Sequence, residues 1–510
     1  MTSNFLLGVG GTGAKCVEAF ARLASIGLAP SSAWVGLLDQ DRSNGNAARA
    51  IRVLSDYCEL RAALRSTGVS DLGPDCPMLS TVIERPKAGW AWAPEEKSSA
   101  TLAASIGYTG LPPTETAMAD ILFSEAERRL TLDEGFRQRP ALGAALTLTG
   151  VTPNSAVWRD LLQALQSAGH GEEVRVFLIA SIFGGTGASG LPTVARLLRH
   201  EIRERGLESR VKLGAALMLP YFAFPAPPPG EGPSIRPDST TFLIQARGAL
   251  EYYQQLFRLE PVFDSVYLLG SDPLIQLPGY SDGGALQANP PLLPELLAGL
   301  AAVDFLALRA PADGRTLAVG TSDGDVVGWD DLPYSDGGGL KLRAEVGAML
   351  RTAVAWRERY ASALVGDAWR GNRREAWFRT HLSATGADAV GSDACQRAIT
   401  LVSRSMDDML RWFVALNRAG AGAGRRLGLV ADDILARDWA SADIADIQLA
   451  SGLGNSEFRR LVPPNTGPSL ADSFSRLTYG RRVDGGVGLG ALLAALRQAC
   501  LEGVIQGAQG

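Results

Sequence analysis

Through the first 310 residues, short apolar runs alternate with longer stretches in which apolar side chains recur every three or four positions. An uninterrupted run of four to eight apolar residues suits a strand buried on both faces, and the wider spacing suits a helix with one face on the core. The pattern predicts strands at 4–9, 33–38, 174–181, 211–218 and 264–270, and helices at 13–27, 156–168, 189–205, 241–258 and 292–308. Strands and helices in alternation predict an α/β fold built on a mostly parallel sheet. Residues 50–135 break the rhythm: Pro74, Pro77, Pro86, Pro94, Pro112 and Pro113, with Trp90 and Trp92, predict an irregular insertion.

The Pro/Gly-rich stretch at 224–238 cannot continue a helix or a central strand and is predicted to be a loop. A second stretch rich in SDG turns, 309–340, separates the α/β part from the C-terminal part. From 341 onward the three-to-four spacing returns without alternating strands, as in LRAEVGAMLRTAVAWRERYASALV. The expected organisation is a unit at 1–308, a loop-rich connector at 309–340 and a mainly helical C-terminal domain at 341–510. At 510 residues, two or more domains are the ordinary expectation.

Composition narrows the function classes. With 46% hydrophobic and 20% charged residues the chain is of ordinary globular make-up, and a net charge of −5 gives no reason to expect nucleic acid as partner. Five scattered cysteines without a CxxC pair and three histidines argue against a disulfide framework or a zinc site, so no metal-ligating residue is assigned. No basic leader precedes the first apolar run and no apolar stretch is long enough for a membrane span, so the expected location is cytoplasmic.

Two glycine-rich turns carry the chemistry. In GVGGTGAKCVEAF, Gly8, Gly10, Gly11, Thr12 and Gly13 follow an apolar strand and open a helix, where backbone amides aim at an anion. That turn alone also matches a dinucleotide fingerprint, with Asp39 at the end of the next strand as the ribose-binding acid. The second turn, in VFLIASIFGGTGASGLPTVARLL, places Gly184, Gly185, Thr186, Gly187 and Ala188 in the same strand-to-helix setting. A fold that wraps a triphosphate from two strand ends needs two such loops, whereas a dinucleotide domain needs one. Neither GxxxxGKS nor GxxxxGKT occurs, which excludes a P-loop lysine.

The order of these motifs resembles the tubulin/FtsZ superfamily, in a divergent bacterial-type form. FGGTGASG is similar to the tubulin signature GGGTGTG or GGGTGSG, with Phe183 in place of its first glycine, and GVGGTG resembles the first phosphate loop of FtsZ. EGFRQRPALG resembles the FtsZ loop GxGANPxxG, with Gly135, Pro140 and Gly143 in register and Arg137 and Arg139 where that loop faces the terminal phosphate. LMLPYFAFP is similar to VTxPFxFEG, and ANPPLLPELLAGLAAVDF resembles the long central helix whose early asparagine contacts guanine, here Asn289. The likeness spans about residues 1–308; Ala285 and Ser271 depart from the base-contacting positions.

The resemblance implies a tubulin/FtsZ-like, Rossmann-type parallel sheet that binds GTP or GDP with Mg2+ and associates with itself head to tail into filaments or oligomers. It further implies hydrolysis by acids that enter from a neighbouring copy. By loose analogy these are Asp330 and Asp331, since the family's GxxNxDxxD is absent and hydrolysis is therefore expected to be slow or partner-activated. Two alternatives stay open: a non-hydrolysing, nucleotide-bound scaffold whose C-terminal helices bind protein partners, and a dinucleotide-dependent enzyme using Gly8 to Gly13 and Asp39.

Overall fold

The most apolar segments of the chain become the middle of one parallel sheet. Strands β1 (Asn4–Val9), β2 (Ser32–Leu38), β5 (Val174–Ser181) and β6 (Val211–Met218) are buried along most of their lengths and β8 (Ser265–Leu269) in part, with β3 (Val82–Glu84), β4 (Ala91–Trp92) and β10 (Thr316–Ala318) at the margins. The order across the sheet is β10-β8-β6-β5-β1-β2-β3, with β4 also paired to β2 and every pairing parallel. Two short parallel pairs stand apart: β7 (Phe222–Ala223) with β9 (Ile275–Gln276), and β11 (Val326–Val327) with β12 (Arg426–Leu427). The computed structural model describes residues 3–66, 76–94, 101–132, 136, 139–150, 155–168, 173–226, 237–279, 281, 283–307, 316–318, 326–333, 338–382, 387–420, 426–437, 443–464, 467–479 and 487–501.

Helices cover both faces. Those that build the site and its supports are α1 (Gly10–Ile26), α2 (Gly45–Ser66), α3 (Pro140–Gly150), α4 (Ala156–Ala168), α5 (Thr186–Glu204), α6 (Phe242–Leu259) and α7 (Leu293–Ala307). Gly8 of β1 lies against Val17 of α1, while its neighbour Val9 lies against Gly190 of α5. Successive strand residues face opposite sides, so α1 and α5 cover opposite faces of the sheet. Helix α7 packs beside α1 on β5 and β6, with Phe305 stacked on Phe177 and its carbonyl accepting from Arg175.

Beyond residue 338 the described residues are mainly helical, as the spacing predicted, with α8 (Gly338–Ala355), α9 (Asp393–Ala419), α10 (Leu470–Tyr479) and α11 (Leu489–Cys500) the longest segments. They pack onto the α1–α2 side: α2 lies between α1 and α9, and Arg397 and Arg404 of α9 pair with Glu59 and Asp56 of α2. One apolar cluster runs without a break from Phe5 to Cys500. Among the described residues, no helix is long and apolar enough to cross a membrane.

The expected irregular insertion at 50–135 is corrected by the structure. Residues 45–66 form the regular helix α2, with Ala50, Val53, Leu54, Tyr57, Leu60 and Leu64 buried at three-to-four spacing, and β3 and β4 belong to the main sheet. Only from Thr101 onward does the segment build a satellite, in which Leu102, Phe123, Leu132, Phe136, Leu142 and Leu146 form a separate small core. Of the prolines that suggested irregularity, Pro77, Pro86, Pro94 and Pro112 fall between these elements and Pro113 opens a helix, while Pro74 lies outside the described residues.

Candidate functional site

Strand β1 sits between β5 and β2, and the chain winds outward from it in both directions, to β2 and β3 on one side and to β5, β6 and β8 on the other. The carboxyl ends of β1 and β5 therefore flank a crevice at the point where the strand order reverses, the place where open α/β sheets bind ligands. Both strands run directly into helices there, β1 into α1 at Gly10 and β5 through four residues into α5 at Thr186. Gly10, Gly11, Gly13 and Gly187 lie in the first turns of these helices, whereas Gly8 belongs to β1 and Gly184 and Gly185 to the connection before α5.

Close approach of the two turns depends on missing side chains. Gly10 has φ +74°, and a Cβ on it would stand 3.2 Å from the Gly187 amide nitrogen and 3.3 Å from Thr186 Cβ. A Cβ on Gly187 would stand 2.5 Å from the Ser181 carbonyl oxygen. Two helix N-termini, each with unsatisfied N–H groups and the positive end of a helix dipole, thus open side by side into one cleft. Its empty volume is about 980 Å3, including the part open to solvent, and Gly10, Gly11, Thr12, Gly184, Gly185 and Thr186 line it. Such a pair of amide nests favours an anion with several oxygens.

Acidic groups face the same space. Asp39 directly follows β2, is almost fully buried, and accepts from the Asp41 amide through Oδ1, while its Oδ2 has no partner. Burial, with Asp41 beside it, pushes the Asp39 carboxyl up to about 7; hydrogen bonds from Asp41 and from the Thr186 hydroxyl oppose that rise. Asp41 is held differently, accepting from Ser43 and from the Gly284 amide at 2.7 Å. Asp39 therefore faces the second glycine turn, directly beside the amide nests.

Beneath the cleft lies a buried charged layer. Lys15 of α1 pairs with Glu295 of α7, and the Tyr221 hydroxyl donates to Glu295 at 2.7 Å. Burial lowers the Lys15 ammonium from its ordinary value, with the Glu295 carboxylate opposing, and raises the Tyr221 phenol well above its own. Glu18 lies between Arg49 at 2.7 Å and Arg22 at 3.6 Å, tying α1 to α2. Phe183 closes another wall, with its ring 4.5 Å from Phe242 and 5.7 Å from Phe222 between centroids.

The remaining wall is made of side-chain amides. Asn44 caps α2: its Oδ1 accepts from the Asn46 and Ala47 amides at 3.0 and 3.1 Å, the second and third helical N–H groups. Its Nδ2 donates to Gln287 Oε1 at 2.5 Å. Asn46 Oδ1 accepts from the Asn289 amide at 2.9 Å, and the Asn289 carbonyl accepts from Arg49 at 2.8 Å.

The structure brings Gly10, Gly11, Thr12, Asp39, Gly184, Gly185, Thr186, Gly187 and Asn289 together at one cleft. Gly13 stands behind it, packed on β5, where a Cβ would meet the Ile179 carbonyl at 2.6 Å, and Ala188 lies one step further into α5. Asn289 precedes α7 by four residues, so it is no helix cap; Glu295 caps that helix instead by accepting from the Leu292 amide. Arg139 does not line the cleft and pairs with Glu127 at 3.6 Å; Gly135 and Arg137 lie outside the described residues. Asp330 and Asp331 sit in a short turn packed on α8, away from the cleft, where Asp331 accepts from the Gly328 amide. Lys15, Asp41, Asn44, Asn46 and Gln287 are cleft residues that the motifs did not point to. The sequence signal for two of them was the pair of asparagines opening an unrecognised helix.

No family model matches the chain, and no curated protein does. Among solved structures the chain is similar to CetZ2 from Haloferax volcanii, a GTPgS-bound protofilament, at 18% identity and a TM-score of 0.27, over 61% of each chain. It is also similar to CetZ1 from Haloferax volcanii, a GDP-bound monomer, at 14% identity and a TM-score of 0.28, over 60% of this chain and 61% of that one. The chain thus spans about three fifths of the length of the solved chains it matches. Neither likeness is close enough to carry a conclusion about ligand or assembly, which rests on the cleft itself.

Proposed function

We propose that the cleft binds a guanine nucleotide, GTP or GDP with Mg2+, and that the bound state promotes head-to-tail association of the chain. The observation that carries this reading is the convergence of two helix N-termini, through Gly10 and Gly187, at the reversal point of the sheet. A chain of phosphates is the ligand that uses two such amide nests at once. The unpartnered Asp39 Oδ2 fits a bound cation: a carboxylate beside phosphates is repelled unless a metal ion stands between them. In this reading Asp39 holds Mg2+, whose charge offsets that of the phosphates, and Asn289 contacts the base.

The dinucleotide alternative asks Asp39 to reach a ribose, away from the phosphate turn. Asp39 instead lines the same cleft as Gly184, Gly185 and Thr186 of the second turn, which favours the two-loop reading. Hydrolysis, in the proposed scheme, needs Asp330 and Asp331 of one copy at the cleft of the next, so that turnover is slow in the isolated chain. Those two acids stand clear of their own cleft, as that scheme requires. The deciding experiment is to denature the purified protein and identify the nucleotide released, alongside titration with GTP, GDP and NAD. Guanine nucleotide in near-stoichiometric amount supports the proposal; retained NAD or FAD refutes it.

A further inference from the structure

The amide wall of the cleft has a fixed polarity. Asn44 is nearly fully buried and must present Oδ1 to the two N–H groups of the first turn of α2. Its Nδ2 is therefore the atom that meets Gln287, which must answer with Oε1. That leaves Gln287 Nε2, a pure donor, for the cleft. Asn46 repeats the logic: its Oδ1 is taken by the Asn289 amide, so Nδ2 is the free end. Among the described residues neither nitrogen has a partner, and both side chains line the cleft, Asn46 while only 2% exposed.

We infer that Gln287 and Asn46 form a donor pair that reads an acceptor edge of the nucleobase, guanine O6 and N7, with Asn44 as the positioning residue that sets their polarity; this rests on the nucleotide reading above. Adenine shares N7 but carries an amino donor at position 6, which would confront another N–H group across a desolvated gap. The helix cap thus dictates base selectivity: the backbone amides of α2 orient Asn44, Asn44 orients Gln287, and Gln287 selects the base. A donor facing a donor in a buried site costs about tenfold or more in affinity.

Competition of GTP, ITP and ATP against a fluorescent GTP analogue on the full chain tests this. Inosine keeps O6 and N7 and lacks only the 2-amino group, so ITP is expected within about twofold of GTP, and ATP about tenfold or more weaker. Asn44→Asp preserves the cap acceptor but places a second oxygen opposite Gln287, whose amide then turns and offers Oε1 to the cleft. The expected result is a GTP-to-ATP preference reduced about tenfold or inverted. The added negative charge weakens all triphosphates alike and leaves that ratio untouched. Gln287→Ala, which leaves the cap intact, should also bring GTP, ITP and ATP together. Equal affinities for GTP and ATP in the unmutated chain, ITP far weaker than GTP, or a ratio unmoved by both variants would each overturn the inference while leaving the phosphate cleft standing. Failure of the unmutated chain to bind any nucleoside triphosphate would instead remove the reading beneath it.

Discussion

Replacing Asp39 by asparagine should make the ligand-free protein more stable at pH 8 and leave it nearly unchanged at pH 4. The Asp39 carboxyl is raised from 3.8 to about 7 by burial, with Asp41 adding to the effect. Below pH 3.8 both folded and unfolded chains hold the proton, and the position costs nothing. Between that value and about 7 the unfolded chain ionises while the folded chain resists, so stability falls as pH rises. Above pH 7 the full cost is in place, about 4 kcal/mol for a displacement of this size. Asparagine keeps the acceptor for the Asp41 amide and removes the ionisation. Urea denaturation of both proteins between pH 4 and 8.5 isolates the effect, because every other titrating group is common to the pair. The difference between them should grow from near zero at pH 4 to about 4 kcal/mol above pH 7. Mg2+ added at pH 8 should raise the wild-type midpoint and leave Asp39→Asn unmoved. Parallel pH profiles for the two proteins would refute the argument that this carboxyl is held against its ionisation.

Three further outcomes rest on the packing. Gly187→Ala places a methyl 2.5 Å from the Ser181 carbonyl oxygen and should weaken nucleotide binding more than tenfold while costing about 1–3 kcal/mol of stability, read by titration and denaturation. Lys15→Met should destabilise the fold by about 3–5 kcal/mol because it strands the buried Glu295 charge, and Lys15→Met/Glu295→Gln should recover most of that loss. Phosphate release measured over a range of protein concentrations should rise faster than linearly and fall about a hundredfold in Asp330→Ala/Asp331→Ala; a rate proportional to concentration and untouched by the double variant would discard the shared-site scheme.

The sheet was legible because its strands are uninterrupted apolar runs, and a parallel strand buried on both faces has little else to be. The two glycine turns were legible for a related reason: positive φ and close backbone approach restrict the residue choice to one, so Gly10 and Gly187 announce their geometry. Helix α2 was hidden by its surroundings. Its sequence has the three-to-four spacing, but Arg, Glu and Ser interleave every turn, and the proline-rich residues after it coloured the whole segment. Missing that helix meant missing its cap, and with the cap went Asn44, Asn46 and their partner Gln287. Arg139 differs in the opposite way: a motif register placed it at the phosphates, whereas it pairs with Glu127, twelve residues earlier, and does not line the cleft.

Helix α2 also has two ends with different duties. Its first turn holds the amide wall and, through Arg49, the carbonyl of Asn289; its middle turns carry Asp56 and Glu59, which grip Arg404 and Arg397 of α9. A helix is stiff along its axis, so this 22-residue element acts as a single beam about 33 Å long whose near end lines the cleft and whose flank is bolted to the C-terminal helices. A tilt of a few degrees at the cap becomes a displacement of an ångström or so at α9, with no intervening loop to absorb it. The C-terminal half is therefore mechanically in series with the cleft, and a partner seated on it would meet a surface whose position already reports what the cleft contains.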